Sequence, residues 1–282
     1  MRFFNTLLMG LAFQSTRSAG ARRFSDLKGL NEPMAFSIAM AGKGGTGKTT
    51  LAGLLVNYLL IHGKKPILAV DADCNSNLNE VLGVPLGDTL GNARECMRKG
   101  DVPNGMTKDV FMSMKLEQAV VESDGFDLIV MGRPEGAGCY CAANSLLTGF
   151  LEKLVNNYPY IVMDNEAGME HISRLTTKNV NALLLVSDSS RRGLRAALRI
   201  NELARELKIG VGRSYIVINQ VKEPPSAEML QMIRDAGVEL AGTVPDDRTV
   251  YEFDYQGRPT IQMPLSSPCV KAAFEIFNKI VH

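Results

Sequence analysis

Short apolar runs alternate with longer segments of helical periodicity from Ala35 to the end of the chain. The runs contain Val, Ile and Leu without polar alternation, which predicts strands buried on both faces. In chain order they are AFSIAMA, PILAVDAD, FDLIVMG, YIVMDNE, ALLLVSD, SYIVINQ and VELAGTV. Between several of them, apolar residues recur at the spacing of one helix face, as in Thr49–His62, Leu146–Asn156 and Leu194–Leu207. This alternation predicts an α/β fold with a doubly wound, mostly parallel sheet.

The first 33 residues differ from the rest of the chain. Up to Ser25 they contain four arginines and no acidic residue, and a polar linker follows that ends at Pro33. This composition predicts a dispensable N-terminal extension, with a start at Met34, or an organellar transit peptide. Residues 34–282 show no internal repeat, so they predict a single domain. We expect a cytoplasmic protein, or a protein of an organelle matrix if residues 1–33 are a transit peptide.

The composition argues against several classes of function. A net charge of +1 over 282 residues gives no basic surplus for nucleic-acid binding. No apolar stretch approaches the length needed to cross a bilayer. Five cysteines at irregular spacing do not resemble a secreted disulfide framework, and they fit a reducing compartment with thiols free for metal or redox chemistry. We therefore expect neither a nucleic-acid partner nor a membrane partner.

A glycine-rich stretch follows the first predicted strand and opens a helical segment. Its sequence, GKGGTGKT, satisfies the phosphate-loop pattern G-x-x-x-x-G-K-[ST]. The backbone N–H groups of such a loop surround phosphate oxygens, and the helix N-terminus adds positive potential. Lys48 would reach the β- and γ-phosphates, and the Thr49 hydroxyl would bind Mg²⁺. The predicted ATP- or GTP-binding residues are Gly42, Lys43, Gly44, Gly45, Thr46, Gly47, Lys48, Thr49 and Thr50.

Polar residues end three of the later strands. Asp71 and Asp73 lie at the end of the second run, where carboxylates can hold Mg²⁺-bound water or orient an attacking water. Asp164, in the sequence DNEAG, has the position of a carboxylate that holds Mg²⁺ through water, and Gly168 that of a sensor of the γ-phosphate. Asn219 ends the sixth run, where a side-chain amide can pair with the edge of adenine.

Cys139 and Cys141 lie one residue apart in the sequence GRPEGAGCYCAAN. In an extended segment their side chains point the same way, with Cα atoms about 6.5–7 Å apart. This arrangement suits two thiolates on one metal ion and disfavours a disulfide, which would close a strained ring. A closed tetrahedral thiolate site needs four ligands. Other side chains, or a second copy of the chain, would have to complete it.

With its additional first lysine, Lys43, the phosphate loop resembles the deviant Walker A motif of the MinD/ParA/nitrogenase iron protein class. The resemblance implies a P-loop NTPase of the MinD-like, or SIMIBI, type that forms an ATP-gated homodimer. In that class the residue at the position of Lys43 reaches the partner's nucleotide, and the residue at the position of Asp73 orients or activates the water. The residue at the position of Asn219 contacts the base. Relatives often have Pro in place of Cys74.

The deviant loop, DADCNSNL, GRPEGAGCYCAAN and DNEAGMEHISR occur in the order found in CooC-type ATPases, which mature nickel-dependent carbon monoxide dehydrogenase. This resemblance spans residues 35–265. It implies a metallochaperone whose dimer binds Ni²⁺ or Zn²⁺ and assists nickel insertion into that dehydrogenase or a related nickel enzyme. Carried over by position, the resemblance makes Cys139 and Cys141 the metal ligands. It makes Lys43, Lys48 and Thr49 the contacts to phosphate and Mg²⁺. The hydrolytic and switch residues are then Asp73 and Asp164.

Two other classes of function stay open. A relative of the nitrogenase iron protein would hold an iron-sulfur cluster between two chains, and four thiolates from two Cys-x-Cys pairs can bind one. The DNEAG region, however, contains no Cys where that class has its second ligand. A partitioning or cell-division ATPase would leave the paired thiolates unused. The choice between nickel and zinc also stays open, because sulfur ligands bind both.

Overall fold

Eight strands form one sheet within the described part of the chain. The computed structural model describes residues 35–73, 75–99, 102–132, 149–152, 154–165 and 179–281. The strands are β1 (Phe36–Gly42), β2 (Ile67–Ala72), β3 (Val120–Glu122), β4 (Phe126–Val130), β5 (Tyr160–Asn165), β6 (Asn179–Ser187), β7 (Gly210–Val221) and β8 (Glu239–Pro245).

The strand order in the sheet is β3-β4-β2-β5-β1-β6-β7-β8, and β1 lies between β5 and β6. All neighbouring strands run parallel except β3, which pairs antiparallel with β4 at one edge. The predicted doubly wound, mostly parallel sheet is therefore confirmed. All seven predicted runs are strands. The sequence pattern missed β3, because three residues are too few to show a period.

Helices cover both faces of this sheet. They are α1 (Lys48–Ile61), α2 (Leu78–Leu82), α3 (Leu90–Lys99), α4 (Lys108–Gln118), α5 (Arg191–Glu206), α6 (Ala227–Asp235), α7 (Arg248–Tyr255) and α8 (Pro268–Ile280), with a 3₁₀ turn at Thr260–Gln262. Residues 149–152, 154 and 155 are also helical and fall in the segment predicted from the sequence. In the described residues, no helix has the length and apolar content required to cross a membrane.

The side chains of β1 alternate between two apolar clusters, one on each side of the sheet. Ile38 and Met40 pack into the cluster that contains α1 and α8, and Ala39 and Ala41 pack into the cluster that contains α5. Strand side chains point to opposite faces in turn, so both sets are buried only if helices cover both faces. This explains the continuous apolar runs in the sequence.

Asp247 joins the start of α7 to the start of α8. Its carboxylate accepts hydrogen bonds from the N–H of Thr249 at 2.9 Å and the N–H of Cys269 at 3.1 Å, and from the hydroxyl of Ser267. Partial burial raises the pKa of this carboxyl, but the three hydrogen bonds outweigh burial and hold the pKa below its usual value. Asp247 therefore caps α7 and holds the C-terminal helix in place.

We predict that Asp247→Ala lowers the free energy of unfolding by about 1–2 kcal/mol, because it removes a helix cap and two further hydrogen bonds. Urea unfolding at pH 7 measures this change. Because the native pKa is lowered, the contribution is present above the unfolded-state pKa and disappears as the pH falls through the native-state pKa.

Asp246→Ala is the matched control. Asp246 forms an exposed ion pair with Lys222 at 3.6 Å, so its loss should cost at most about 0.5 kcal/mol. Equal destabilisation by the two variants would contradict the assigned role of Asp247.

Candidate functional site

The predicted functional residues of β1, β2, β5 and β7 lie at or near the carboxyl ends of these strands, on the same edge of the sheet. Gly42 ends β1, Asp73 follows the end of β2, Asp164 lies one residue before the end of β5, and Asn219 lies two residues before the end of β7. The carboxyl ends of parallel strands meet at one edge, which is where open α/β sheets bind ligands. The topology thus brings these residues together, although up to 177 positions separate them in the sequence.

Two glycines of the phosphate loop are required by close contacts. A Cβ at Gly42 would lie 2.1 Å from the carbonyl oxygen of Val186, on the neighbouring strand β6. Gly47 has φ = 83°, and a Cβ there would lie 2.4 Å from Nδ2 of Asn219. Any side chain at either position would push the loop away from the sheet. These contacts fix where the loop leaves β1 and where it enters α1.

Side chains within the loop bind the carbonyl group of Lys43. The Thr46 hydroxyl donates to this oxygen at 2.9 Å, and Nζ of Lys48 donates to it at 3.2 Å. Lys48 is 7% exposed, whereas the Lys43 side chain extends into solvent. The two lysines of the motif therefore differ in environment. Lys48 belongs to the interior of the loop, and Lys43 faces outward.

The end of β7 holds the loop through two amide side chains. Nδ2 of Asn219 donates to the carbonyl of Thr46 at 2.8 Å, and Nε2 of Gln220 donates to that of Gly45 at 3.2 Å. Consecutive strand residues normally point to opposite faces. Here Gln220 has φ = 56°, and the pairing with β8 shifts register between Ile218 and Val221. This irregularity aims both amides at the loop.

Asp71 organises the segment after β2. It is fully buried, and its carboxylate accepts the N–H of Asp73 at 3.0 Å and the N–H of Leu78 at 2.9 Å. Burial raises the pKa of Asp71 to about 6, although these two N–H groups oppose the shift. Asp73 is half-buried and accepts the N–H of Asn75 at 2.8 Å. Asp71 thus positions Asp73, a role that the sequence alone did not indicate.

Asp164 lies where the predicted Mg²⁺ ligands should meet. It is 1% exposed, and its Oδ1 has no hydrogen-bond partner among the described residues. Burial raises its pKa to about 7, a hydrogen bond with Thr49 lowers it, Asp71 raises it and Lys48 lowers it. A buried, unpaired carboxylate oxygen beside a threonine hydroxyl fits a hard cation that prefers oxygen ligands. Thr49 and Asp164 therefore fit Mg²⁺.

Other predicted residues lie outside the described part of the chain. They are Cys74, Cys139, Cys141 and Gly168. Within the described ranges, no group of three or more His, Cys, Asp or Glu side chains is arranged to hold a metal ion. The metal-binding role of Cys139 and Cys141 therefore stays a prediction from the sequence.

The sequence matches a known family and curated relatives. The profile of the CobQ/CobB/MinD/ParA nucleotide-binding domain matches residues 37–261. An uncharacterized ATP-binding protein of Methanocaldococcus jannaschii is 41% identical over 252 residues, which are 87% of this chain and 98% of that protein. The carbon monoxide dehydrogenase accessory protein CooC of Rhodospirillum rubrum is 30% identical over 238 residues, which are 78% of this chain and 87% of CooC.

The fold is also that of a solved structure. The septum site-determining protein MinD of Pyrococcus horikoshii OT3, complexed with Mg-ADP, superimposes with a TM-score of 0.63. The match covers 88% of this chain and 96% of that protein at 20% sequence identity. At this identity the similarity establishes the P-loop NTPase fold and leaves the cellular role undefined.

We predict that Asn219→Asp weakens nucleotide affinity at least about tenfold. The new carboxylate would face the Thr46 carbonyl and repel it, which would distort the phosphate loop. Calorimetry with ATP and GTP measures the effect. Equal losses for the two nucleotides indicate that Asn219 acts by holding the loop. A loss confined to ATP indicates that it contacts the base, as the family resemblance implies.

Gln220→Glu is the matched control, since it makes the same amide-to-acid change next to Asn219. Gln220 is exposed, so water screens the new charge and we expect a loss of less than about threefold. Unchanged affinity of Asn219→Asp for both nucleotides would contradict both roles.

Proposed function

We propose that this chain, which belongs to the family of CobQ/CobB/MinD/ParA nucleotide-binding domains, is a dimeric metallochaperone ATPase that matures a nickel enzyme. As a member of this family it is an ATPase of the MinD/ParA class. The observation behind the finer proposal is the Cys-x-Cys pair, Cys139 and Cys141, in a chain that is 30% identical to CooC. The client would be carbon monoxide dehydrogenase or a related nickel enzyme.

The phosphate loop and Lys48 bind the triphosphate of ATP in this proposal. Thr49 and Asp164 would hold Mg²⁺, which when bound neutralises charge on the phosphates. Asp73 orients the attacking water, and Asp71 fixes the backbone of Asp73 through its N–H. Because phosphoryl transfer needs mainly positioning and charge stabilisation, a rigid loop and a fixed carboxylate supply most of what the reaction requires.

Lys43 connects ATP binding to dimer formation. Its side chain is exposed, while its carbonyl is held by Thr46 and Lys48. The backbone at this position is thus fixed and the ammonium is available to a second chain. In the proposed dimer, Lys43 of each chain reaches the nucleotide bound by the other. The dimer then closes when ATP is bound and opens after hydrolysis.

The metal is the cargo of the proposed chaperone. Cys139 and Cys141 provide two thiolates in each chain, and a two-fold axis would bring four thiolates to one Ni²⁺ or Zn²⁺ ion. Closure of the dimer would assemble the site, and opening after hydrolysis would release the ion to the client. This coupling gives the ATPase cycle a direct use in metal transfer.

A cell-division or partitioning ATPase is the second candidate, and its support is the MinD fold. Such a protein needs the ATP-dependent dimer but has no use for paired thiolates. Metal content therefore separates the two candidates, whereas ATPase activity does not.

We predict that Lys43→Gln and Lys48→Gln fail at different steps. Lys48→Gln should lose ATP binding, because it removes a buried cation from the phosphate loop. Lys43→Gln should bind ATP within about threefold of the unchanged protein but lose ATP-dependent dimerisation and at least about tenfold in turnover. Calorimetry, light scattering and phosphate release measure these properties. Dimerisation of Lys43→Gln with ATP would contradict the role of Lys43.

We predict that the double variant Cys139→Ser, Cys141→Ser loses stoichiometric nickel or zinc while ATP affinity is unchanged. The reason is that serine hydroxyls are poor ligands for these ions compared with thiolates. Metal analysis of anaerobically purified protein, with and without nucleotide, measures the loss. Cys96→Ser is the matched control, because Cys96 lies on α3 at a partly exposed position and should not affect metal content.

The metal content of the unchanged protein decides between the candidate functions. About one nickel or zinc per dimer supports the chaperone. About four irons with sulfide per dimer would contradict the chaperone and indicate an iron-sulfur protein. Absence of metal, together with intact ATP-dependent dimerisation, would favour the cell-division or partitioning ATPase.

A further inference from the structure

We propose that a second ligand site lies at the amino ends of β7 and β8, and that it binds a small organic oxyanion, such as a carboxylate or a phosphate ester. A cavity of about 360 Å³ opens there between the C-terminal turns of α5 and the starts of the two strands. Its lining includes Asn201, Arg205, Arg213, Ser214 and Glu239. This volume suits a small metabolite.

Asn201 is the buried polar group of this cavity. It lies on the face of α5 that packs against the sheet, between Ala197 and Ala204, and it is 3% exposed. Among the described residues, no hydrogen bond reaches its side-chain amide, which lines the cavity. Neither amide atom is among the fully enclosed polar atoms that lack a partner in the described residues, so the amide is open to the cavity and can pair with a polar group of a ligand there.

Two arginines give the cavity a positive charge. Arg205 lies one turn after Asn201 on α5, and Arg213 lies on β7. The described residues place no carboxylate in a salt bridge with either guanidinium, whereas Arg199 on the same helix binds Glu202 at 2.9 Å and Glu206 at 3.1 Å. Unpaired guanidinium groups at a concave surface bind oxyanions through paired N–H donors.

The polar groups of the cavity limit the kind of ligand. Two arginines and one glutamate, Glu239, line the cavity, so the net charge of the lining favours an anion. The amide of Asn201 and the hydroxyl of Ser214 add hydrogen-bonding groups, and Glu239 can accept a hydrogen bond from a ligand hydroxyl. A hydroxylated carboxylate or phosphate ester matches this set better than an apolar molecule or a free cation.

This cavity is separate from the nucleotide site. Ser214 and Asn219 lie on the same strand, β7, five residues apart, which corresponds to about 17 Å along the sheet. The phosphate loop contacts the carboxyl end of β7, and the cavity lies at its amino end. Occupation of the two sites is therefore sterically independent.

Calorimetry on the full chain saturated with Mg-ADP tests the proposal, because ADP blocks anion binding at the phosphate loop. The probes are citrate, glycerol phosphate and inorganic phosphate. We expect saturable binding of citrate or glycerol phosphate with a dissociation constant below about 1 mM. Arg213→Gln, Arg205→Gln and Asn201→Leu should each weaken it about tenfold or more. Arg199→Gln, which removes an arginine outside the cavity, should leave it unchanged.

The relative affinities of the probes identify the ligand class. Tighter binding of citrate assigns a carboxylate, and tighter binding of glycerol phosphate assigns a phosphate ester. Two results would overturn the proposal: no probe binds below about 1 mM, in which case water alone fills the cavity, or Arg199→Gln weakens binding as much as the cavity variants do. Both results leave the ATPase and its metal cargo unaffected.

Discussion

The close contact between the phosphate loop and the ends of β6 and β7 is the interaction on which the rest of the site depends. The loop must turn its N–H groups toward phosphate, so its carbonyl groups face the protein and need partners there. Asn219 and Gln220 bind two of these carbonyls, and the loop's own Lys48 and Thr46 bind a third. The absence of a Cβ at Gly42 allows the loop to approach β6 closely.

The same edge of the sheet contains buried carboxylates. Burial raises the pKa values of Asp71 and Asp164 well above that of an exposed carboxyl. The two groups differ in their partners, because backbone N–H groups occupy both oxygens of Asp71 and leave Oδ1 of Asp164 unpaired. The first arrangement fixes a backbone segment, and the second leaves a position for a cation. Two chemically identical side chains therefore differ in what they can do, since Asp71 holds backbone and Asp164 keeps an oxygen that fits a cation.

In the proposed function, metal transfer is controlled by this nucleotide site. The carbonyl of Lys43 is held by Thr46 and Lys48, and its side chain is exposed. In the proposed dimer, two thiolates from each chain would complete a tetrahedral site. A requirement for a second chain in both the ATP site and the metal site is the simplest way to make metal transfer follow the ATPase cycle.

The fold class, seven of the eight strands in the described residues, the phosphate loop and the order of the acidic strand ends could all be predicted from the sequence, because these are local patterns of period and residue type. The contacts of Asp71 and Gln220, and the cavity beside Asn201, became apparent only in the folded chain. Gln220 reaches the loop because its backbone is left-handed next to a register shift with β8, and Asp71 is buried because β4 and β5 flank its strand. Asn201 interrupts an apolar helix face, which the sequence shows, but the cavity beside it comes from strands that follow it in the chain. Such contacts join residues that are distant in sequence, and no local pattern encodes them.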